Sequence, residues 1–433
     1  MTIELSEEQK SVCDKVVKWY NNGYDPYITI GGYAGTGKTT LISFLADYIE
    51  KKRGYKPKNK NNKFKVAFCA YTGKAASVLK KKLKGVIETE SVKYTYSKSK
   101  KGVVRAQPES NLIGTIHSLM YRPVTRMNSQ GKKVISHWEK VDDLQYVDLI
   151  IIDEASMVNH DIWRDLLSYD VPIIAVGDHG QLPPIGSKFN LMEKPILTLK
   201  KIHRQAESNP IIQLSQDIRK YGEIHVPLPT LDNKEVFGMN WQNQQCRDVF
   251  NSITFDKDVI CLCGFNKSRV KLNTHIRKNI GFEVEDIYPG ERVICLRNNH
   301  EMGVMNGQLG NVVWSLPFEK ELSTMTVQMD DDEENYYDCL VNTDCFGQES
   351  YNDIFDHTHD EYKSAIKRSK CSQVDFFDYG YCTTVHKSQG SEWNRVILFV
   401  QRNSYQNDDD YKRWLYTAAT RAKEKLFVVY DFF

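Results

Sequence analysis

The chain lacks any run of 18 apolar residues; a membrane-spanning helix needs about 20, so none is expected. Its ten cysteines include no C-x-x-C pair. Cys261 and Cys263 alternate on a predicted strand and share a face. No second pair completes a four-ligand zinc site. Free thiols in a reducing compartment are the expectation. The stretch Met1 to Glu8 is acidic and has no apolar core of a signal peptide, so an intracellular, cytoplasmic protein is expected. Charge of one sign is also missing: 58 Lys and Arg against 56 Asp and Glu give a net charge of +2, so the whole chain is not a polycation. No carboxylate-rich nuclease segment stands apart from the rest.

What is present is unevenly placed. Lysine and arginine gather at 51–65 and 80–105, and acid at Asp330 to Glu334 and Asp408 to Asp410. The basic stretches read equally as solvated loops or as contacts for a polyanion. With 433 residues, two to four domains and a sizeable core are expected.

The most informative stretch is Gly32-Tyr33-Ala34-Gly35-Thr36-Gly37-Lys38-Thr39-Thr40. It fits G-x-x-x-x-G-K-[ST] at each fixed position. Tyr27 to Ile30 before it reads as a strand, and Thr40 to Ile49 after it as a helix with apolar residues three and four apart. Strand, glycine loop and helix make an anion cradle: inward backbone N–H groups and a helix N-terminus meet phosphate oxygens. Lys38 would reach the β- and γ-phosphates of a nucleoside triphosphate, and the Thr39 hydroxyl would hold Mg²⁺. Gly35, Thr36, Gly37 and Thr40 complete the nucleotide-binding set.

Leu149 to Ile152 is a continuous apolar run ending in Asp153-Glu154, the pattern of a buried parallel strand with acids at its C-terminal end. Asp153 is placed to coordinate Mg²⁺, Glu154 to act as general base on an attacking water. Pro172 to Gly177 repeats the pattern and leads into Asp178-His179-Gly180-Gln181-Leu182-Pro183-Pro184. Gln181 either orients that water or contacts the γ-phosphate. Arg204 and Arg421 either supply positive charge to the leaving oxygens or pair with a carboxylate. Ser6-Glu7-Glu8-Gln9 has capping-box spacing. The runs around 123–127 and 133–138 predict a β-hairpin across Asn128 to Gly131. Short alternating runs over 292–375 predict a β-rich module, and strands alternating with helices on both sides of it predict two doubly wound α/β units.

Taken in order from Gln9 to Arg421, these stretches resemble the superfamily 1B helicases of the RecD/Dda type. Gln9 is similar to the glutamine that reads adenine. Gly32 to Thr40 resembles motif I, Ala70 to Ala76 motif Ia, Gly114 to Leu119 motif Ib, Asp153-Glu154 motif II and Gly177 to Pro184 motif III. Arg204 matches the motif IV arginine, Thr383 to Glu392 motif V and Tyr416 to Arg421 motif VI. Asn306 to Gly310 resembles a signature of the family's SH3-like insertion.

The resemblance implies an α/β fold of two RecA-like parallel-sheet domains. Domain 1A would comprise 1–118 and 143–200, a hairpin 1B 119–142, domain 2A 201–291 and 376–433, and an SH3-like 2B 292–375. It implies ATP and Mg²⁺ as cofactors, with Gly390 and Glu392 near the nucleotide. It also implies translocation on single-stranded DNA from 5′ to 3′, with unwinding at single/double-strand junctions by a monomer that works beside single-strand-binding or replication proteins. Thr72, Lys74, Thr115, His117, Thr384, His386 and Lys387 would line the strand through sequence-neutral phosphate contacts. His137 or Trp138 would stand against the fork as a pin, although Trp138 serves equally as core. Backbone contacts do not separate DNA from RNA, so an RNA helicase or ribonucleoprotein remodeller remains open. So does an ATP switch that binds nucleic acid without moving along it.

Overall fold

In the computed structural model the described residues are 5–52, 64–92, 96–99, 102–105, 110–127, 133–144, 146–184, 189–202, 209–225, 235–283, 286–299, 302, 304–330, 332–351, 353–354, 362–369, 371 and 373–432. The chain forms two compact units, Met1–Glu207 and Ser208–Phe433.

In the first unit, the described residues form a seven-stranded sheet. Its order is Leu197–Leu199, Tyr27–Gly32, Ile173–Gly177, Leu149–Asp153, Val66–Ala70, Asn111–Thr115 and Thr89–Ser91. Every neighbouring pair is parallel, so all the C-terminal strand ends share one edge. Alternate residues of the apolar runs serve opposite faces. Leu149 and Ile151 join Ile28, Ile30 and Phe68 under the helix Lys38–Lys52, which contributes Leu41, Ile42, Leu45 and Ile49. Ile150 and Ile152 join Ala67, Cys69 and Ala175 on the other face, with Trp163 and Leu166 from the helix His160–Leu167. Burial on both faces explains why these strands are apolar without alternation.

The helix Glu7–Asn22 begins at the capping box read from sequence. Gln9 N–H donates to the Ser6 hydroxyl (3.3 Å) and Ser6 N–H to the Gln9 side-chain carbonyl (2.9 Å). Gly23 ends it at φ 66°, a conformation that favours glycine. The helix after the phosphate loop starts at Lys38, two residues before the expected Thr40, because Gly37 at φ 75° closes the loop and its carbonyl accepts from Leu41 N–H at 2.9 Å. The polar stretch 85–111, which has little periodicity, holds the short strands Thr89–Ser91, Tyr96–Ser99 and Gly102–Arg105. The expected hairpin is longer than predicted: Tyr121–Met127 pairs with Lys133–Lys140. Its loop, 128–132, lies outside the described residues, as does most of the basic segment 51–65.

The second unit contains a five-stranded parallel sheet ordered Val236–Asn240, Ala422–Tyr430, Trp393–Phe399, Val259–Cys263 and Cys382–Thr384. A six-stranded, mostly antiparallel sheet runs from Arg292–Cys295 to Phe377–Tyr379 and carries its own core around Val293, Val312, Val327 and Val341. All ten cysteines are free. Among the described residues no helix is long and apolar enough to cross a membrane.

Buried ion pairs tie the helix Asn266–Asn279, beside the parallel sheet, to the antiparallel sheet. Arg269 pairs with Asp378 and Arg277 with Glu291, all four residues nearly inaccessible to solvent. The Arg277 guanidinium also donates to the Asp286 carbonyl (2.6 Å) and lies 3.9 Å from the Tyr379 ring centroid. Burial raises the Glu291 pKa above its ordinary value, and Arg277 works against that rise. Removing one partner strands the other charge in a low-dielectric interior. Arg277→Ala should therefore destabilise the fold by about 3–5 kcal/mol, read as a lower guanidinium chloride midpoint. An unchanged midpoint contradicts this assignment.

Candidate nucleotide and nucleic-acid sites

The phosphate loop leaves the strand Tyr27–Gly32 at the C-terminal edge of its sheet. A Cβ on Gly32 would sit 2.5 Å from the Thr36 hydroxyl, and one on Gly31 2.4 Å from Pro195 Cγ. Gly35 and Gly37 adopt positive φ, 79° and 75°. The Thr36 hydroxyl donates to the Tyr33 carbonyl at 2.8 Å, which closes the turn. Lys38 Nζ donates to the carbonyls of Gly32 (2.8 Å) and Tyr33 (3.1 Å) and lies 3.7 Å from Asp178 Oδ2. Thr39 and Thr40 follow in the first turn of the helix, beside the loop. Gln9 is buried, and its side-chain amide donates to the Gly37 carbonyl at 3.3 Å. The first helix thus braces the loop from behind.

Two neighbouring strands bring the acids to the same edge. Ile152 stands beside Ala175, and Gly177 beside Gly31. Asp153 therefore ends its strand near the loop, and its Oδ1 accepts the Glu154 N–H at 2.9 Å. Glu154 itself has φ 53° and ψ 41°. A non-glycine residue there costs about 1–3 kcal/mol, and such strain gathers at functional sites. Asp178 is fully buried, and its Oδ1 accepts the Gly180 N–H at 2.9 Å. Gln181 is buried as well, its N–H on the Asp178 carbonyl at 3.3 Å. The His179 ring lies 4.1 Å from that of Tyr33.

Asp178 is the residue that sequence reading left out of the site. Its signal was available: the run Pro172 to Gly177 ends in an acid as Leu149 to Ile152 does. A single carboxylate and the Thr39 hydroxyl suit Mg²⁺, a hard cation that keeps waters and takes phosphate oxygens as its other ligands. Among the described residues no group of three or more His, Cys, Asp or Glu side chains could hold a metal ion.

Further along the same edge, Thr115 pairs in register with Ala70. Thr72 and Thr115 each cap a helix, accepting from Ala75 N–H (3.1 Å) and Ser118 N–H (3.0 Å). Lys74 lies in the first turn of one helix; His117 lies in the other and stacks on Tyr121 at 4.6 Å. Burial lowers the His117 pKa. The chain backbone pairs His137 with Val124 and Trp138 with Pro123, and the two side chains are outside what is described. Arg204 lies outside the described residues.

In the second unit, the candidates occupy a stretch that crosses the parallel sheet. Thr384 stands level with Cys263 at the C-terminal edge. The chain re-enters the sheet at Trp393, which is level with Ala422 at the N-terminal edge. Thr384, His386 and Lys387 thus lie towards one edge, and Gly390, Glu392 and Arg421 towards the other. The Thr384 hydroxyl accepts the Lys387 N–H (3.4 Å), and burial lowers the His386 pKa. Gly390 has φ 73°. Glu392 is exposed, 3.8 Å from Lys423. Arg421 is buried: Nε donates to the Thr417 carbonyl (3.0 Å), one terminal nitrogen to the Ser391 carbonyl (3.0 Å) and the other to the Thr420 hydroxyl (3.3 Å). Those bonds use three of its five N–H groups and lock it to the end of the Thr384–Glu392 stretch.

A phosphate loop, a strand-end Asp-Glu pair and the Asp178–Lys38 contact at one sheet edge form a phosphate-binding site of the kind that takes a nucleotide. The AAA domain model matches residues 4–227, just over half of the chain, and the UvrD-like helicase C-terminal domain matches 379–429. The chain belongs to the AAA domain family. It is 24% identical to the ATP-dependent RecD2 DNA helicase of Deinococcus radiodurans, over 98% of this chain and 48% of that protein. It thus spans about half of RecD2's length. It is also 24% identical to the ATP-dependent DNA helicase dda of Enterobacteria phage T4, over 98% of this chain and 99% of that one. A Pif1 helicase from Bacteroides, crystallised with ADP-AlF3 and single-stranded DNA, shares the fold: TM-score 0.53, 19% identity, 100% of this chain and 93% of that one.

Asp178 should be needed to hold Lys38 in place. Asp178→Asn is expected to lower the rate of ATP hydrolysis by about 10–100-fold, the range for a group that orients a site residue. Coupled-enzyme phosphate release measures it, and a wild-type rate would contradict the role.

Proposed function

We propose that the chain is an ATP-dependent DNA helicase that moves 5′ to 3′ along a single strand and opens the duplex ahead of it. The carrying observation is that one sheet edge presents both the phosphate loop, with Lys38 between its carbonyls and Asp178, and the capped helix starts at Thr72 and Thr115. Dda, matched over nearly its full length, supports the same reading.

In this mechanism Lys38 and the loop N–H groups hold the triphosphate. Thr39 and Asp153 would hold Mg²⁺, which neutralises phosphate charge when bound. Glu154 takes a proton from the attacking water, Gln181 orients that water, and Arg204 and Arg421 offset charge on the transferred group. Gln9, Gly390 and Glu392 serve the nucleoside. Thr72 and Thr115 accept from their own helices through oxygen, which leaves each hydroxyl proton for a phosphate oxygen. Lys74, Thr384, His386 and Lys387 add donors and charge. Contacts of this kind hold a strand without reading its sequence. The hairpin Tyr121–Met127 and Lys133–Lys140, with His137 or Trp138, serves as the pin that parts the duplex.

Hydrolysis should rise when single-stranded DNA is added, and Lys38→Ala should abolish it. A preference for RNA would move the protein to the RNA helicases, and stimulated turnover in Lys38→Ala would remove the site.

Burial keeps His117 and His386 below their ordinary pKa of 6.5, so both are neutral at pH 7. They protonate only as the pH falls below 6.5, and that added charge should then tighten strand binding. Anisotropy of a labelled oligonucleotide from pH 7.5 to 5.5 should show tightening that is reduced in His117→Gln and His386→Gln. Equal tightening in the variants contradicts it.

A further inference from the structure

The family motifs leave one buried cluster of the second unit unused. Asp378 lies in the strand Phe377–Tyr379 of the antiparallel sheet and is fully buried. Its Oδ1 accepts the N–H groups of Gly347 and Tyr379, both at 2.7 Å; its Oδ2 accepts from Arg269 and from the Tyr351 hydroxyl, the latter at 2.6 Å. Four donors fill the acceptor capacity of the carboxylate. The hydroxyl bond therefore fixes the Tyr351 ring, and Arg269 fixes it further: its guanidinium carbon lies 5.4 Å from the ring centroid, and it donates to the Gln348 carbonyl. Over that ring, at 5.1 Å from its centroid, sits the ammonium of Lys387.

Lys387 follows strand Cys382–Thr384 by three residues. Lysine is a flexible side chain that loses rotamer entropy when ordered. The residue as a whole is exposed. Desolvation, and then the Arg269 charge, lower its pKa, with Asp378 opposing. A ring face held in place attracts a cation without neutralising it, so it fixes the ammonium's position while leaving N–H donors for an anion. A carboxylate in that place would compete with phosphate for the charge. Tyr351 comes from the segment after the last long strand of the antiparallel sheet, Asp332–Asn342; its hydroxyl bond ties it to that sheet's strand Phe377–Tyr379, and its ring contact reaches the loop carrying Lys387.

We infer that Tyr351 is a positioning residue: its ring, anchored on Asp378 by its hydroxyl, seats the Lys387 ammonium for a phosphate of the bound single strand. The inference rests on the reading that Lys387 contacts the strand. It assigns to the antiparallel sheet a part in holding that strand, exerted through one aromatic side chain.

A double-mutant cycle on the full chain tests it, with a labelled oligothymidylate as probe and anisotropy as readout. Each variant is first checked for folding by circular dichroism and thermal melting. Lys387→Ala should weaken binding and lower the magnitude of the salt slope by about 0.7, the value for one lost phosphate contact on a single strand. Tyr351→Leu should weaken binding about three- to tenfold, the cost of immobilising one long side chain without its seat. In the Lys387→Ala background the same change should have no effect. Tyr351→Phe, which keeps the ring and its Arg269 contact but loses the hydroxyl anchor, should bind between wild type and Tyr351→Leu. A Tyr351→Leu loss that persists without Lys387, or no loss while Lys387→Ala weakens binding, overturns the inference alone. A Lys387→Ala variant with unchanged affinity and salt slope overturns both the inference and the strand-contact reading beneath it.

Discussion

A triphosphate concentrates negative charge that a protein can hold only where several donors point at one place and stay there. That requirement shapes the first unit. Backbone N–H groups converge only if the chain can turn sharply at Gly35 and Gly37 and pass close to its neighbours at Gly31 and Gly32. The loop stays in position because parallel strands on either side hold its own strand, Tyr27–Gly32, rigidly in the sheet. The same parallel pairing delivers Asp153 and Asp178 to the loop, since parallel strands end on one edge. An antiparallel neighbour would carry its C-terminal residues to the far side of the sheet. The two-faced apolar core around Ile151 and Ile152 is thus what holds the chemistry in register.

In the second unit the stretch Thr384–Glu392 crosses the parallel sheet from edge to edge. One end carries candidate strand contacts, and the other is locked to Arg421 through the Ser391 carbonyl. A movement at either end has a short covalent path to the other, with buried Ser388 and Gln389 between them. Tyr351 adds a sideways brace near the strand end, and so brings the antiparallel sheet into the same mechanics.

Much of this was legible in the residues because the signals are local. The phosphate loop has fixed glycines, the buried strands have continuous apolar runs, and the first helix has its capping box. The helix after the loop starts at Lys38 rather than Thr40 because backbone geometry at Gly37, not side-chain periodicity, decides where it begins. Asp178 looked like one more strand-end acid; only the sheet order, which sets its strand beside that of the loop, shows that it meets Lys38. The Asp378 cluster was not legible at all. Arg269, Tyr351 and Lys387 are separated by long stretches of chain and share no pattern, so only tertiary structure brings them together. Short strands such as Thr89–Ser91 escaped notice because three residues carry too little periodicity to separate a strand from a loop.

Unwinding of DNA duplexes that carry a single-stranded tail at one end tests the coupling of this site to strand movement most directly. With ATP and Mg²⁺ present, duplexes with a 5′ tail should open and those with a 3′ tail should stay closed, and neither should open without ATP. Opening from the 3′ tail, or DNA-stimulated hydrolysis with no opening from either, would contradict a motor that travels 5′ to 3′ along the strand.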